Sequence, residues 1–234
     1  MVFEYSLPKT IAGVRLPDTE LAKDAVLIML RSVPQTLFNY CLRTFVLGMI
    51  DARRRGLHVD VDVVFQASIL HDLCLSPVYP GNPEKTFEEN SGEFAAAFAR
   101  ASGISDRRAE RIYQAILLHA GKAAGRSPDI EFVMHGARQD VVGPKPEELS
   151  DAQIQEIESA LPRLEFKSEF LSILSDHVSR TNNPDWTTDF LAQTPPHFQD
   201  TGGPPESCLG GHVENSFMTR NKINKRLEGA TDGS

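Results

Sequence analysis

From Asp18 to Gln193 the apolar residues of this chain recur at three- and four-residue spacing, and no segment of useful length alternates as a strand would. That periodicity confines the chain to an all-α fold. Asp18 to Arg31 opens with Asp18 as a cap and sets Leu21, Ala25, Ile28 and Met29 on one face. Pro34 to Gly56 starts with proline in its first turn and stops on glycine behind the triplet Arg53-Arg54-Arg55. Asp60 to Leu73 is capped by Asp60 or Asp62, and a loop rich in proline follows over Ser76 to Lys85. Further helices are expected over Glu88 to Ala101, Ser105 to His119, and Ser127 to about Val142, the last with Pro128 at its first position. Ser150 to Leu161 carries a capping box, Ser150 with Gln153, and Phe166 to Arg180 and Asp185 to Gln193 complete the set. Beyond Thr194 prolines and glycines break up a polar stretch. The expected organisation is one domain of about seven to nine helices over 1–193, then an extension over 194–234, extended or partly disordered.

The 234 residues are enough for a sizeable core. A formal net charge of −8 argues against a phosphate-backbone partner, because nucleic-acid affinity is built from clustered positive charge. The basic patches at 53–55 and 220–226 are separate and lack interleaved aromatics. No apolar stretch approaches the roughly 20 residues that span a bilayer, and the N-terminus lacks the pattern of a signal peptide. Cys41, Cys74 and Cys208 lie far apart without a CxxC spacing, so reduced thiols in a cytoplasmic protein are expected. No membrane partner is expected, and a homo-oligomer stays open.

The chemistry concentrates on His71-Asp72, which ends the apolar run Val63 to Leu70. An imidazole and a carboxylate leaving a buried helix together are natural ligands for a divalent metal. A charge in that position costs several kcal/mol unless it is paired or metal-bound. Asp140 is a second acid in an apolar surround, within His135 to Gly143, where Gly136 and Ala137 allow close helix approach. A helix-terminal or solvent-facing role is equally open to it.

Apolar residues followed by His71-Asp72, an earlier Arg43-x-Phe45, and a late Gly136-Ala137-x-x-Asp140-Val141-x-Gly143 resemble the HD-domain superfamily of metal-dependent hydrolases. Within it the chain resembles the cyanamide hydratase branch. The loop after the HD pair, Phe87-Glu88-x-x-x-Gly92 and Asn183-Pro184-Asp185-Trp186 add to that resemblance, which spans roughly 32–186. It implies an HD-like helical domain binding one divalent metal, zinc or iron, through a histidine on the earlier helix and through His71, Asp72 and Asp140. The first of these departs from the pattern: Tyr40 stands three residues before Arg43, where the family has histidine.

Three readings of Tyr40 compete. A tyrosinate ligates the metal, which must then drive off a proton of ordinary pKa about 10. Alternatively, the remaining ligands hold the metal more weakly, with water or another histidine in the gap. Or the metal is gone, and Tyr40, His71, Asp72 and Asp140 form a hydrogen-bonded cluster working by acid–base chemistry. In that cluster Tyr40 donates to Asp72 or Asp140 and His71 relays a proton.

His119 ends an apolar run as His71 does, and ranks next as a site residue. Its other reading is a helix-terminal histidine favoured by the macrodipole. His135 lies about 140° around its helix from Asp140, so the two do not point at one ion. His58, His177, His197 and His212 read as surface or tail residues. Arg43 pairs with a carboxylate of the cluster or meets an anionic substrate. Lys122, Arg126 and Arg138 are too few cations for a polyphosphate substrate.

The resemblance implies a lyase or hydratase acting on a small molecule in a helical cavity. A metal held by His71, Asp72 and Asp140 activates water for addition across a carbon–nitrogen multiple bond. In that case His119 or Tyr40 positions substrate or shuttles a proton. The alternatives are a metal-free relative catalysing isomerisation, cyclisation, dehydration or decarboxylation, and a binding protein that retains only the pocket.

Overall fold

The computed structural model describes residues 7–120, 127–144 and 148–182. Among these the fold is all-α, with eight α-helices and one minimal hairpin. The expected helix Asp185 to Gln193, the Asn183 to Trp186 segment and the boundary at 194 lie outside the described residues.

The hairpin pairs β1 (Thr10–Ile11) with β2 (Val14–Arg15). Ala12 and Gly13 make its turn with φ of 49° and 77°, the left-handed pair that a two-residue hairpin turn needs. Two-residue strands cannot display a period of two, which is why periodicity does not reveal them. Glu156 accepts the Ala12 amide at 2.7 Å and pins the turn to the body.

Helix α1 (Glu20–Ser32) is capped by Thr19, whose hydroxyl accepts from the Ala22 amide, and not by Asp18. Asp18 instead pairs with Lys23 at 3.2 Å. The central helix α2 (Gln35–Arg54) has every residue from Thr36 to Ala52 buried. Pro34 precedes it as the N-cap, one position earlier than expected. Helix α3 (Val61–Leu70) is capped by Asp60 and stops at His71, short of the expected Leu73. The chain tightens there into a 3₁₀ turn, Leu73–Leu75. This break sets His71 and Asp72 at a corner between two helical segments, both buried.

Helix α4 (Phe87–Ala101) opens with a capping box of Thr86 and Glu89, α5 spans Asp106–Leu117, and α6 (Pro128–Val142) has proline in its first turn. The Ser150–Gln153 capping box opens α7 (Asp151–Ala160), and α8 spans Phe166–Arg180. Helix α2 packs most extensively against α6, and also against α3 and α8, while α4 packs against α5 and α5 against α3. The α2–α6 approach depends on two glycines. A Cβ at Gly136 would sit under 3.0 Å from the Thr44 carbonyl, and one at Gly48 also under 3.0 Å from the Phe132 carbonyl.

The loop between the 3₁₀ turn and α4 is fastened at both sides. The Asn90 side chain accepts the Asn82 amide at 2.8 Å and donates to the Asn82 carbonyl at 3.0 Å. At the end of α8, Thr181 and Asn182 both donate to the Pro83 carbonyl. No helix among the described residues is long and apolar enough to cross a membrane.

Candidate functional site

Five elements bring side chains to the corner after α3. Helix α2 contributes Tyr40 and Cys41, the corner itself His71 and Asp72, and the start of α4 Phe87 and Glu88. His119 arrives just past the end of α5, and α8 brings Phe166, Phe170 and His177.

His71 is completely buried. Its Nδ1 lies 2.8 Å from the Ser68 carbonyl oxygen. A carbonyl only accepts, so Nδ1 carries the hydrogen and Nε2 presents a bare lone pair. That Nε2 has no hydrogen-bond partner, and Asp72 Oδ2 lies 3.4 Å from it. Burial pushes the His71 pKa down to about 4, so the ring is neutral at physiological pH.

His119 repeats this arrangement. Its Nδ1 donates to the Ile116 carbonyl at 2.7 Å, and its Nε2 lies 4.0 Å from Asp72 Oδ1. The two imidazoles meet edge to face with centroids 4.7 Å apart. Burial, and then the neighbouring His71, lowers the pKa of His119, against the opposing charges of Asp72 and Glu88. Burial lifts the Asp72 carboxyl to about 6, with His119 and His177 opposing that rise.

At neutral pH and above, therefore, an ionised carboxylate faces two imidazole lone pairs with no hydrogen among them. Acceptors that face one another in a buried site require a cation or a proton between them. Histidines that ligate metals commonly hold their other nitrogen on a backbone carbonyl, as both rings do here. The 3.4 Å between His71 Nε2 and Asp72 Oδ2 is close to the about 3.3 Å separating two donors on one tetrahedral zinc ion. His71 and Asp72 thus fit a divalent metal.

Asp140 is directed elsewhere. Arg43 Nε and Nη2 donate to its two oxygens at 2.8 and 2.9 Å. Arg163 adds donations to its carboxylate at 2.7 Å and to its backbone carbonyl at 2.9 Å. Burial opposes ionisation of Asp140, but the guanidinium groups of Arg163 and Arg43 outweigh it and hold the carboxyl below its ordinary range. The geometry thus makes Asp140 the anion of a buried triad, with its oxygens engaged, where a ligand was expected. Arg43 is likewise spent on Asp140 and on the Leu161 carbonyl, 3.0 Å from its Nη1, and is fully buried in place of meeting a substrate.

Tyr40 keeps to the cluster, with its ring 5.4 Å from His71 and stacked on Phe166 at 4.8 Å. Burial, then the charges of Asp72 and Asp140, raises its phenol well above the ordinary pKa of 10.0. It is a neutral hydroxyl at physiological pH.

Three participants escape the sequence reading. Cys41 Sγ, a His71 ring nitrogen and an Asp72 oxygen all lie within 4.8 Å of one another, whereas spacing suggested only a buried thiol. His177, expected at the surface, is buried with its ring 5.7 Å from Phe87, and its charge bears on Asp72. Its position was detectable, since Phe166, Phe170 and His177 fall within about 40° on one helix face. Arg163 leaves no local signal, because it reaches Asp140 from the turn between α7 and α8. His135 turns away from the corner, its Nδ1 3.3 Å from Asp51. Lys122 and Arg126 lie outside the described residues.

No protein-family model matches this chain, and no curated protein matches it.

Proposed function

We propose that the chain is a metal-dependent enzyme of the lyase or hydratase type, resembling the cyanamide hydratase branch of the HD-domain proteins, acting on a small organic molecule at the corner after α3. The observation that carries this reading is the pair of bare imidazole nitrogens, His71 Nε2 and His119 Nε2, facing opposite oxygens of Asp72. His71 and Asp72 would hold the metal. Bound there, zinc or iron would lower the pKa of water and polarise a carbon–nitrogen multiple bond.

The other residues define what the chain itself does. His119 offers a fixed acceptor to the water being added and takes up its proton. His119 then returns that proton to the substrate nitrogen, which Tyr40, un-ionised, holds with a donated hydrogen bond. Phe87, Phe166 and Phe170 surround these groups with apolar rings and limit competing water.

The test is elemental analysis of the full chain purified without chelator or added metal, alongside cyanamide and nitrile hydration assays. Near-stoichiometric metal, lost in His71→Ala and Asp72→Asn, is expected. Less than about a tenth of an equivalent overturns the reading, since a ligand set this buried binds tightly or not at all.

One observation favours a second reading. The Asp72 carboxyl, lifted to about 6, is matched to proton transfer near neutrality. A metal-free isomerase, cyclase, dehydratase or decarboxylase would use Asp72 as base and Tyr40 as donor. Turnover that survives a strong chelator selects it, and ligand protection against heat without turnover selects a binding protein.

A further inference from the structure

We propose that Cys41 is a thiolate ligand of the His71–Asp72 centre, so that this chain presents a Cys-His-Asp donor set. The inference rests on the metal reading above and deepens it. Among the described residues, Cys41, His71 and Asp72 form the one group of ligand-type side chains whose donor atoms all lie within 4.8 Å of one another. All three are buried. His71 Nε2, fully buried and without a hydrogen-bond partner, independently marks this place as built for a ligand.

His119 Nε2 lies 4.0 Å from Asp72 Oδ1 and falls outside the Cys41–His71–Asp72 group, and two other neighbouring candidates are otherwise engaged. The Tyr40 ring is held by its stack on Phe166, and both Asp140 oxygens are taken by Arg43 and Arg163. Cys41 follows Tyr40 directly on α2 and brings a donor to the corner from that helix. Burial pushes the Cys41 thiol well above its ordinary 9.0, so the thiol holds its proton until a metal displaces it.

Binding then exchanges one ion for another. The metal–sulfur bond forms as the S–H bond breaks, and the thiol proton leaves to solvent. No electron is transferred. A sulfur, a nitrogen and an oxygen donor together select zinc or cobalt over magnesium or manganese. Three protein ligands also leave one tetrahedral position open for water, as catalytic zinc sites do.

Cobalt(II) titration of the full apo chain tests this. Expected are visible d–d bands together with a near-ultraviolet sulfur-to-cobalt charge-transfer band. The double variant Cys74→Ser/Cys208→Ser retains Cys41 as the one remaining thiol of three, and it should keep that band. Cys41→Ser should lose it and weaken cobalt binding by at least about tenfold, the lower bound seen even for outer-shell partners. Cobalt bound without the charge-transfer band overturns the Cys41 assignment and leaves the metal reading standing. Loss of the band in the double variant also overturns it, whether or not Cys41→Ser folds. No cobalt bound at all, judged by equilibrium dialysis, removes both.

Discussion

Arg43 meets Asp140 side-on, with Nε 2.8 Å from one carboxylate oxygen and Nη2 2.9 Å from the other, and neither side chain is exposed. Arg163 completes the contact from the opposite end of the chain's helical order. Removing one partner of such a pair leaves a buried charge uncompensated, at about 3–5 kcal/mol. Asp140→Asn should therefore lose about that much stability in urea denaturation. Its metal content per folded chain should match that of the unaltered protein. Metal lost from folded Asp140→Asn would return Asp140 to the ligand set.

The α2–α6 contact predicts a steric effect with no chemistry in it. Gly136→Ala forces a methyl onto the Thr44 carbonyl, and Gly48→Ala one onto the Phe132 carbonyl. Both obstacles are backbone, so the helices must separate. Each variant should lose about 1–3 kcal/mol, the usual range for overpacking. Thermal or urea unfolding checks it, and an unchanged midpoint in either variant contradicts the close approach.

His71 and Asp72 give the metal-free protein opposing pH dependences. The His71 pKa is about 4 when folded, below its ordinary 6.5, so acidification through that window protonates the unfolded chain first and favours unfolding. The Asp72 carboxyl is at about 6 when folded, above its ordinary 3.8, so acidification protonates the folded chain first and favours folding. Each limb is of the order of 3 kcal/mol, and together they largely offset. In chelator-treated protein, His71→Gln should gain stability from pH 7 to 4 while Asp72→Asn loses it. Parallel urea midpoints for both variants across that range would sink this account.

Tyr40→Phe preserves the ring stacked on Phe166 and removes only the hydroxyl. Stability should change by no more than about 1 kcal/mol, and metal content should be unchanged. Turnover should fall, because the substrate nitrogen loses its donor. Loss of metal in this variant would instead identify a tyrosinate ligand.

How far the sequence reveals this molecule depends on the reach of each interaction. Phe166 to Arg180 and the Ser150–Gln153 box follow from neighbours within a turn, and both occur as read. The end of α3 is hidden from periodicity, because Leu73 to Leu75 continue the apolar pattern while the backbone changes to a 3₁₀ turn. His71, Asp72 and His119 were legible because each follows an apolar run that must be buried. The partners of Asp140 were not, since Arg43 lies 97 residues before it and Arg163 lies 23 after it, linked by packing alone. Cys41 was visible as a buried thiol, but its neighbours were not, because they depend on how α2 faces the corner.

The hold on each imidazole comes from a carbonyl three residues upstream, Ser68 for His71 and Ile116 for His119. Both rings are thus steered by main chain, and side-chain replacement at 68 or 116 leaves the steering group in place. Drift in sequence can erase much of what surrounds the corner without turning either ring. A centre built this way can outlast the resemblances by which it would otherwise be traced.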